Sequence, residues 1–247
     1  MMRKCFLLLA AATLILPALA VDLRAETAAG VTARPNQTSR VKSAQNLPTP
    51  TTPAIHGAAT ARGRAGPLDA QQRAMVEKIN AYLTSVQTLV GDFVQVAPNG
   101  SRTDGKFYLQ KPGRMRFEYN SPSPLELISD GKSVAIRDRR LATQDLLLLS
   151  QTPLRFLLAD RIDLLKEGNV INVYSDDVFI TTVLEEKQVV GGTHRLLLMF
   201  STKDLQLKQW TVTDPQGYDT TVALYNLDSS KKPDPGLFRI NYERQRD

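Results

Sequence analysis

Residues 105–138 read GKFYLQKPGRMRFEYNSPSPLELISDGKSVAIRD, and this stretch decides the fold. Phe107, Leu109, Met115, Phe117, Tyr119, Leu125, Leu127, Val134 and Ile136 alternate with neighbours that are mostly charged or polar. That period of two belongs to a strand with one buried face. Lys111-Pro112-Gly113-Arg114 supplies turn chemistry, because proline fixes φ and glycine tolerates positive φ. Asp130-Gly131 between alternating runs is a strong hairpin signal. The stretch therefore predicts four strands and three turns, an antiparallel meander with one apolar face.

The flanks extend the pattern. Asp69 and Gln72 have capping-box spacing behind Pro67, and Val76, Ile79, Leu83, Val86 and Val90 recur at three- and four-residue steps. A helix with one apolar stripe is predicted from Asp69, either packed on a sheet or helping to cover a ligand cavity. A strand over 92–97 and a turn at Pro98-Asn99-Gly100 lead into the meander. After the charged turn Asp138-Arg139-Arg140, four leucines, Leu146 to Leu149, precede Thr152-Pro153. Threonine there suits a helix N-cap and proline the first helical position. Leu154, Phe156, Leu157 and Leu158 then make a short helix that is apolar nearly all round and needs partners on more than one side. Strands over 170–174, 178–185, 194–200, 205–213 and 218–227 follow, with a last one near Phe238. The expected fold class is mainly β (α+β): one strongly curved antiparallel sheet of about ten to eleven strands with helices on its concave side.

Compartment and excluded chemistry come from composition. Arg3 and Lys4, the apolar run from Phe6 to Leu16, and Ala18-Leu19-Ala20 read as a signal peptide over residues 1–20. Residues 21–67 are rich in Ala, Thr and Pro, without aromatics, and read as a disordered extension, either a solvated linker or a basic arm touching a membrane. A folded domain is expected over 68–247. The single cysteine, Cys5, lies in the signal peptide, so thiol nucleophiles, disulfides and thiolate metal sites are excluded from the mature chain. Removing Arg3 and Lys4 takes the formal charge from +6 to +4, a mild basic excess. Nucleic acid is not an expected partner. His194 is the one histidine of the expected domain, and it reads as a surface or core residue rather than a metal ligand. No nucleophile elbow, zinc helix or phosphate loop appears, so no catalytic residue, metal or cofactor is expected.

The meander also carries a resemblance. Lys111-Pro112-Gly113-Arg114, Met115-Arg116-Phe117-Glu118-Tyr119, a proline-containing loop and Leu127-Ile128-Ser129-Asp130-Gly131-Lys132, in that order, resemble the periplasmic outer-membrane lipoprotein carriers of the LolA type. Residues 151–158 resemble that family's lid helix, and Leu237-Phe238-Arg239-Ile240 its closing strand. The resemblance spans Asp69 to about Tyr242. It implies an incomplete antiparallel barrel with a helical lid over a hydrophobic cavity, working in the periplasm as a monomer. The cavity would take the acyl chains of lipoproteins from an inner-membrane ABC transporter and pass them to an outer-membrane acceptor. Carried over by residue, Phe107, Met115, Phe117, Leu154, Phe156, Leu157 and Leu158 would line the cavity and lid, each with a core-only alternative. Lys111 stands where the family often has a lid-controlling arginine, and a lysine in a turn reads as exposed. The alternative function is a periplasmic lipid- or lipoprotein-sensing module on the same half-barrel, which would carry a second globular domain.

Overall fold

The computed structural model describes residues 67–188 and 192–245. The expected signal peptide, and all but the last residue of the expected extension, lie outside them. Helix α1 (Ala70–Ser85) starts at a complete capping box: the Asp69 carboxylate accepts from the Gln72 amide at 2.8 Å, and Gln72 Oε1 accepts from the Asp69 amide at 3.0 Å. Val76, Ile79 and Leu83 are buried along one side. The stripe does not continue as helix. Val86 is already extended, and Val90 belongs to strand β1 (Thr88–Val96), where β-branched residues and ladders on both sides override helical spacing.

The meander follows as β2 (Arg102–Gln110), β3 (Arg114–Tyr119), β4 (Leu125–Asp130) and β5 (Ser133–Asp138), with β6 (Thr143–Leu148) beyond the charged turn. A 3₁₀ turn and two single-turn helices, α2 (Arg155–Leu158) and α3 (Leu164–Glu167), form the middle of the chain. Five more strands complete the sheet: β7 (Asn169–Ser175), β8 (Phe179–Gln188), β9 (Gly192–Ser201), β10 (Leu207–Thr213) and β11 (Asp219–Asp228). All described strands join one sheet in the order β6-β5-β4-β3-β2-β1-β11-β10-β9-β8-β7, antiparallel throughout. It is open, with β6 and β7 as its edges.

Ring contacts show how strongly the sheet curls. Phe117 on β3 and Trp210 on β10 are four strand positions apart, about 19 Å on a flat sheet. Their rings lie 6.0 Å apart, edge to face. Phe107 and Trp210 are 6.4 Å apart across three positions. One apolar core fills the concave side and takes in α1, α2 and Leu164 of α3.

Three local expectations are corrected. Thr152 is not a helix N-cap: its hydroxyl donates back to Leu149 O at 2.9 Å, and the residue before α2 is Leu154, which makes no side-chain cap. Residues 237–240 are not a closing strand. Pro235–Phe238 is a 3₁₀ turn started by Asp234, whose carboxylate accepts from the Gly236 amide, with Pro235 fixing the first φ. That turn packs on the convex side of β3 and β4, which corrects the third expectation. Ile128 and Ala135 point away from the concave face yet are fully buried, so this part of the meander has two covered faces. Arg116 donates to Leu237 O at 2.9 Å and pairs with Glu118 at 2.7 Å and with Glu126, which Arg137 also meets at 3.2 Å.

Gly105 shows the tightness of the aromatic layer. It sits opposite Phe93, whose ring is edge-on to Phe117 at 4.8 Å and to Tyr119 at 5.0 Å. A Cβ on residue 105 would lie 1.9 Å from Glu118 O and 2.9 Å from the Phe93 ring. Gly105→Ala is therefore expected to destabilise by about 1–3 kcal/mol or more in denaturant unfolding. A change within about 0.5 kcal/mol would show that the β2–β3 ladder yields there.

Candidate ligand-binding site

Two clefts open on the concave face, one on each side of Trp210. The larger, about 680 Å³ counting its open mouth, is walled by Phe117, Leu125, Ile136, Val212 and the lid residue Leu154. The smaller, about 420 Å³ on the same measure, is walled by Leu89, Phe107, Met115, Leu224 and the lid residue Leu157. The enclosed part of each is small, about 50 Å³ and about 30 Å³, so with the lid in this position the clefts are shallow, and their walls are chiefly apolar. Five of the residues expected from the sequence thus border open space: Phe107, Met115, Phe117, Leu154 and Leu157. Phe156 and Leu158 do not. Phe156 packs beside Gly168 under the Arg155 guanidinium, which lies 4.0 Å from its ring centre, and Leu158 is 1 % exposed within the core. Trp210, which walls both clefts, was missed. Its signal was present, as the only tryptophan of the chain in an alternating strand.

The lid is held at four points. Arg155 forms an ion pair with Glu186 of β8. The Gly113 amide of the β2–β3 turn donates to Leu158 O at 2.8 Å. Beyond the lid, the Ile162 amide donates to Thr84 Oγ1 and the Leu164 amide to Asn80 Oδ1, both at 3.1 Å, which ties the return loop to α1. His194 stands directly across from Glu186 on β9, buried, and burial lowers its pKa against the opposing pull of Glu186 and Asp214. Among the described residues no cluster of His, Cys, Asp and Glu could hold a metal ion.

Lys111 corrects a further expectation. It is 8 % exposed, and its ammonium donates to Leu83 O at the end of α1, at 2.5 Å, rather than to the lid backbone. Its turn neighbour Gly113 makes the lid contact instead. Burial lowers the Lys111 pKa from 10.5 to about 8, against an upward pull from Asp160. Between those values the unfolded chain holds a proton that the folded chain has shed, so stability climbs as pH rises from 8 toward 10.5. Below pH 8 both states carry the charge and the burial penalty is present in full. The melting temperature of the wild type should therefore rise relative to Lys111→Met between pH 8 and about 10, before tyrosines with raised pKa such as Tyr82 begin to titrate. A constant difference across that window would place the amine in ordinary solvent.

Residues 84–241, more than half of the chain, match the family model described as outer membrane lipoprotein carrier protein LolA. An outer-membrane lipoprotein carrier protein of Methylococcus capsulatus is 27 % identical over 66 % of this chain and 82 % of its own length. One from Chromobacterium violaceum is 34 % identical over 38 % of this chain, and the match covers less than half, 45 %, of that relative. Among solved structures, a LolA superfamily protein from Nitrosomonas europaea is 10 % identical, covers 68 % of this chain and 98 % of its own, and superposes with a TM-score of 0.39. The chain belongs to the LolA family of outer membrane lipoprotein carrier proteins.

Proposed function

We propose that this protein is a periplasmic carrier that shelters the acyl chains of lipoproteins between the inner and outer membranes. The observation that carries the reading is the pair of apolar clefts beneath the lid, where Leu154, the residue before α2, walls one and Leu157 of α2 walls the other, in a chain of this family. Each methylene removed from water is worth about 0.8 kcal/mol, so a lipoprotein in transit needs a cover, and the cover must also come off. A lid held by one ion pair, one backbone hydrogen bond and two loop ties suits both needs. No bond is made or broken in the process. Among the described residues no helix is long and apolar enough to cross a membrane. The source would be an inner-membrane ABC transporter that releases lipoproteins, and the recipient an outer-membrane acceptor.

The direct test is lipoprotein release from spheroplasts into the soluble fraction by the purified protein. Folded protein that releases none would overturn the reading. Arg155→Gln removes a half-buried ion pair from the lid, so stability should change by less than about 1 kcal/mol while bound lipoprotein leaves faster. Unchanged release rates would show that Glu186 does not restrain the lid. The two kinds of lid residue should also separate. Phe156→Ala is expected to cost about 3–5 kcal/mol of folding stability while leaving capture per folded molecule near the wild-type level. Leu154→Gln and Leu157→Gln should lower capture itself.

A further inference from the structure

Three ionisable side chains stand in a row beneath the lid. Glu186 of β8 and His194 of β9 are cross-strand partners, two residues along from the buried pair Leu184 and Leu196 and so on the same concave face. Thr213 pairs with Arg195, which sets Asp214 beside His194 at the end of β10. His194 and Asp214 are buried, and Glu186 is half-buried. The lid reaches this row directly. Arg155 pairs with Glu186, and Phe156 packs around Gly168 beside Leu184. The two carboxylates differ in what they can still accept. Asp214 Oδ1 already takes the amides of Gln216 and Tyr218, both at 2.9 Å. Glu186 gives one oxygen to Arg155, while its buried Oε2 accepts no hydrogen bond among the described residues. Glu186 is therefore placed to serve either of two cations, the Arg155 guanidinium from the lid or an imidazolium from β9.

We propose that His194 is a proton-operated release for the lid: protonation of its imidazole draws Glu186 away from Arg155 and lets α2 leave the sheet. The direction follows from linkage. With the lid down, burial works against a charged imidazole, outweighing the pull of Glu186 and Asp214. Lifting Arg155 and Phe156 admits water to the row and leaves Glu186 without its guanidinium, and both changes favour the proton on His194. A proton that binds the open state better must shift the population toward it. The pKa of His194 in the closed state lies below its ordinary 6.5, so the advantage of the closed state is complete above that value and is lost as pH falls through the lowered one. This deepens the account of the lid given above, but none of the measurements that test it uses a cargo, so it stands or falls apart from lipoprotein carriage.

The Gly113 amide donates to Leu158 O, so its hydrogen exchange reports whether α2 is docked. Its protection, corrected for intrinsic exchange, is followed by NMR on the full-length protein from about pH 7 to about pH 5, a window that brackets histidine and in which ordinary carboxylates stay ionised. Lys111 in the same turn titrates only near 8 and does not intrude. Protection of Gly113 should fall by about 5-fold or more relative to Phe117 in the β2–β3 ladder, the low end of ordinary coupling between two sites. In His194→Asn the response should be flat. Coupling is reciprocal, so Arg155→Gln should move the His194 titration, followed by its imidazole resonances, upward toward 6.5. A wild type whose Gly113 protection is constant across the window overturns the proposal without recourse to any variant. So does a response that survives in His194→Asn, or a His194 titration that is the same with and without Arg155.

Discussion

The edge-to-face contact between Phe117 and Trp210 joins strands four positions apart, and the curvature of the sheet rests on contacts of this kind because, among the described residues, no ladder closes β6 onto β7. In a closed barrel, strand number and shear set the radius. Here the aromatic side chains of the concave face do so. Phe93, Phe107, Phe117, Tyr119 and Trp210 form one chain of tilted and edge-on rings across β1, β2, β3 and β10, the arrangement that ring quadrupoles favour. The two clefts are the spaces this chain leaves on either side of Trp210. Their position therefore follows from the same contacts that bend the sheet.

The join between the two halves of the sheet is the β1–β11 ladder, and it is irregular where the strain collects. Asn226 and Leu227 together oppose Gly91, and Asn226 adopts a left-handed φ of 51°. A side chain on residue 91 would come within 2.7 Å of Tyr225 O and of Leu227. Asp92 steadies the bulge by accepting from Asn226 at 2.7 Å and from Lys106 at 2.5 Å. At the far edge, Gln72 serves twice. Its oxygen completes the helix cap, and its nitrogen donates to Val173 O of β7 at 3.0 Å, which occupies part of an edge that would otherwise be open to pairing. Helix α1 thus fastens the edge at its start, and the lid loop and Lys111 near its end.

Much of this was legible in the sequence because strand alternation and turn chemistry are local signals. The hairpins at Lys111–Arg114 and Asp130–Gly131 and the Asp69 capping box needed nothing beyond neighbouring residues, whereas the expected strand near Phe238 is a turn and β6 was not foreseen. What was not legible depended on contacts distant in sequence. Val90 fits a helical stripe until ladders on both sides claim it. Lys111 reads as an exposed turn residue until α1, twenty-eight positions earlier in the chain, covers it. The convex face of β4 looks like a solvated strand face until Phe238 and its turn arrive from the other end of the domain. In the lid, apolar composition marked the right helix, but composition has no direction. Only packing separates Leu154 and Leu157, at open space, from Phe156 and Leu158, in the core.

The unjoined edges bear on capacity. A closed barrel has a bore that cannot widen without breaking its ladder, but a sheet that stops at β6 and β7 can unroll slightly at every strand with all its backbone hydrogen bonds intact. The resistance to a bulkier guest then comes from many side-chain contacts, each worth only about 0.1–0.2 kcal/mol per atom pair. Such a container is elastic rather than gauged. On the carrier reading proposed above, guests that differ by a few methylenes, or by a whole chain, would meet a gradient of fit instead of a size limit.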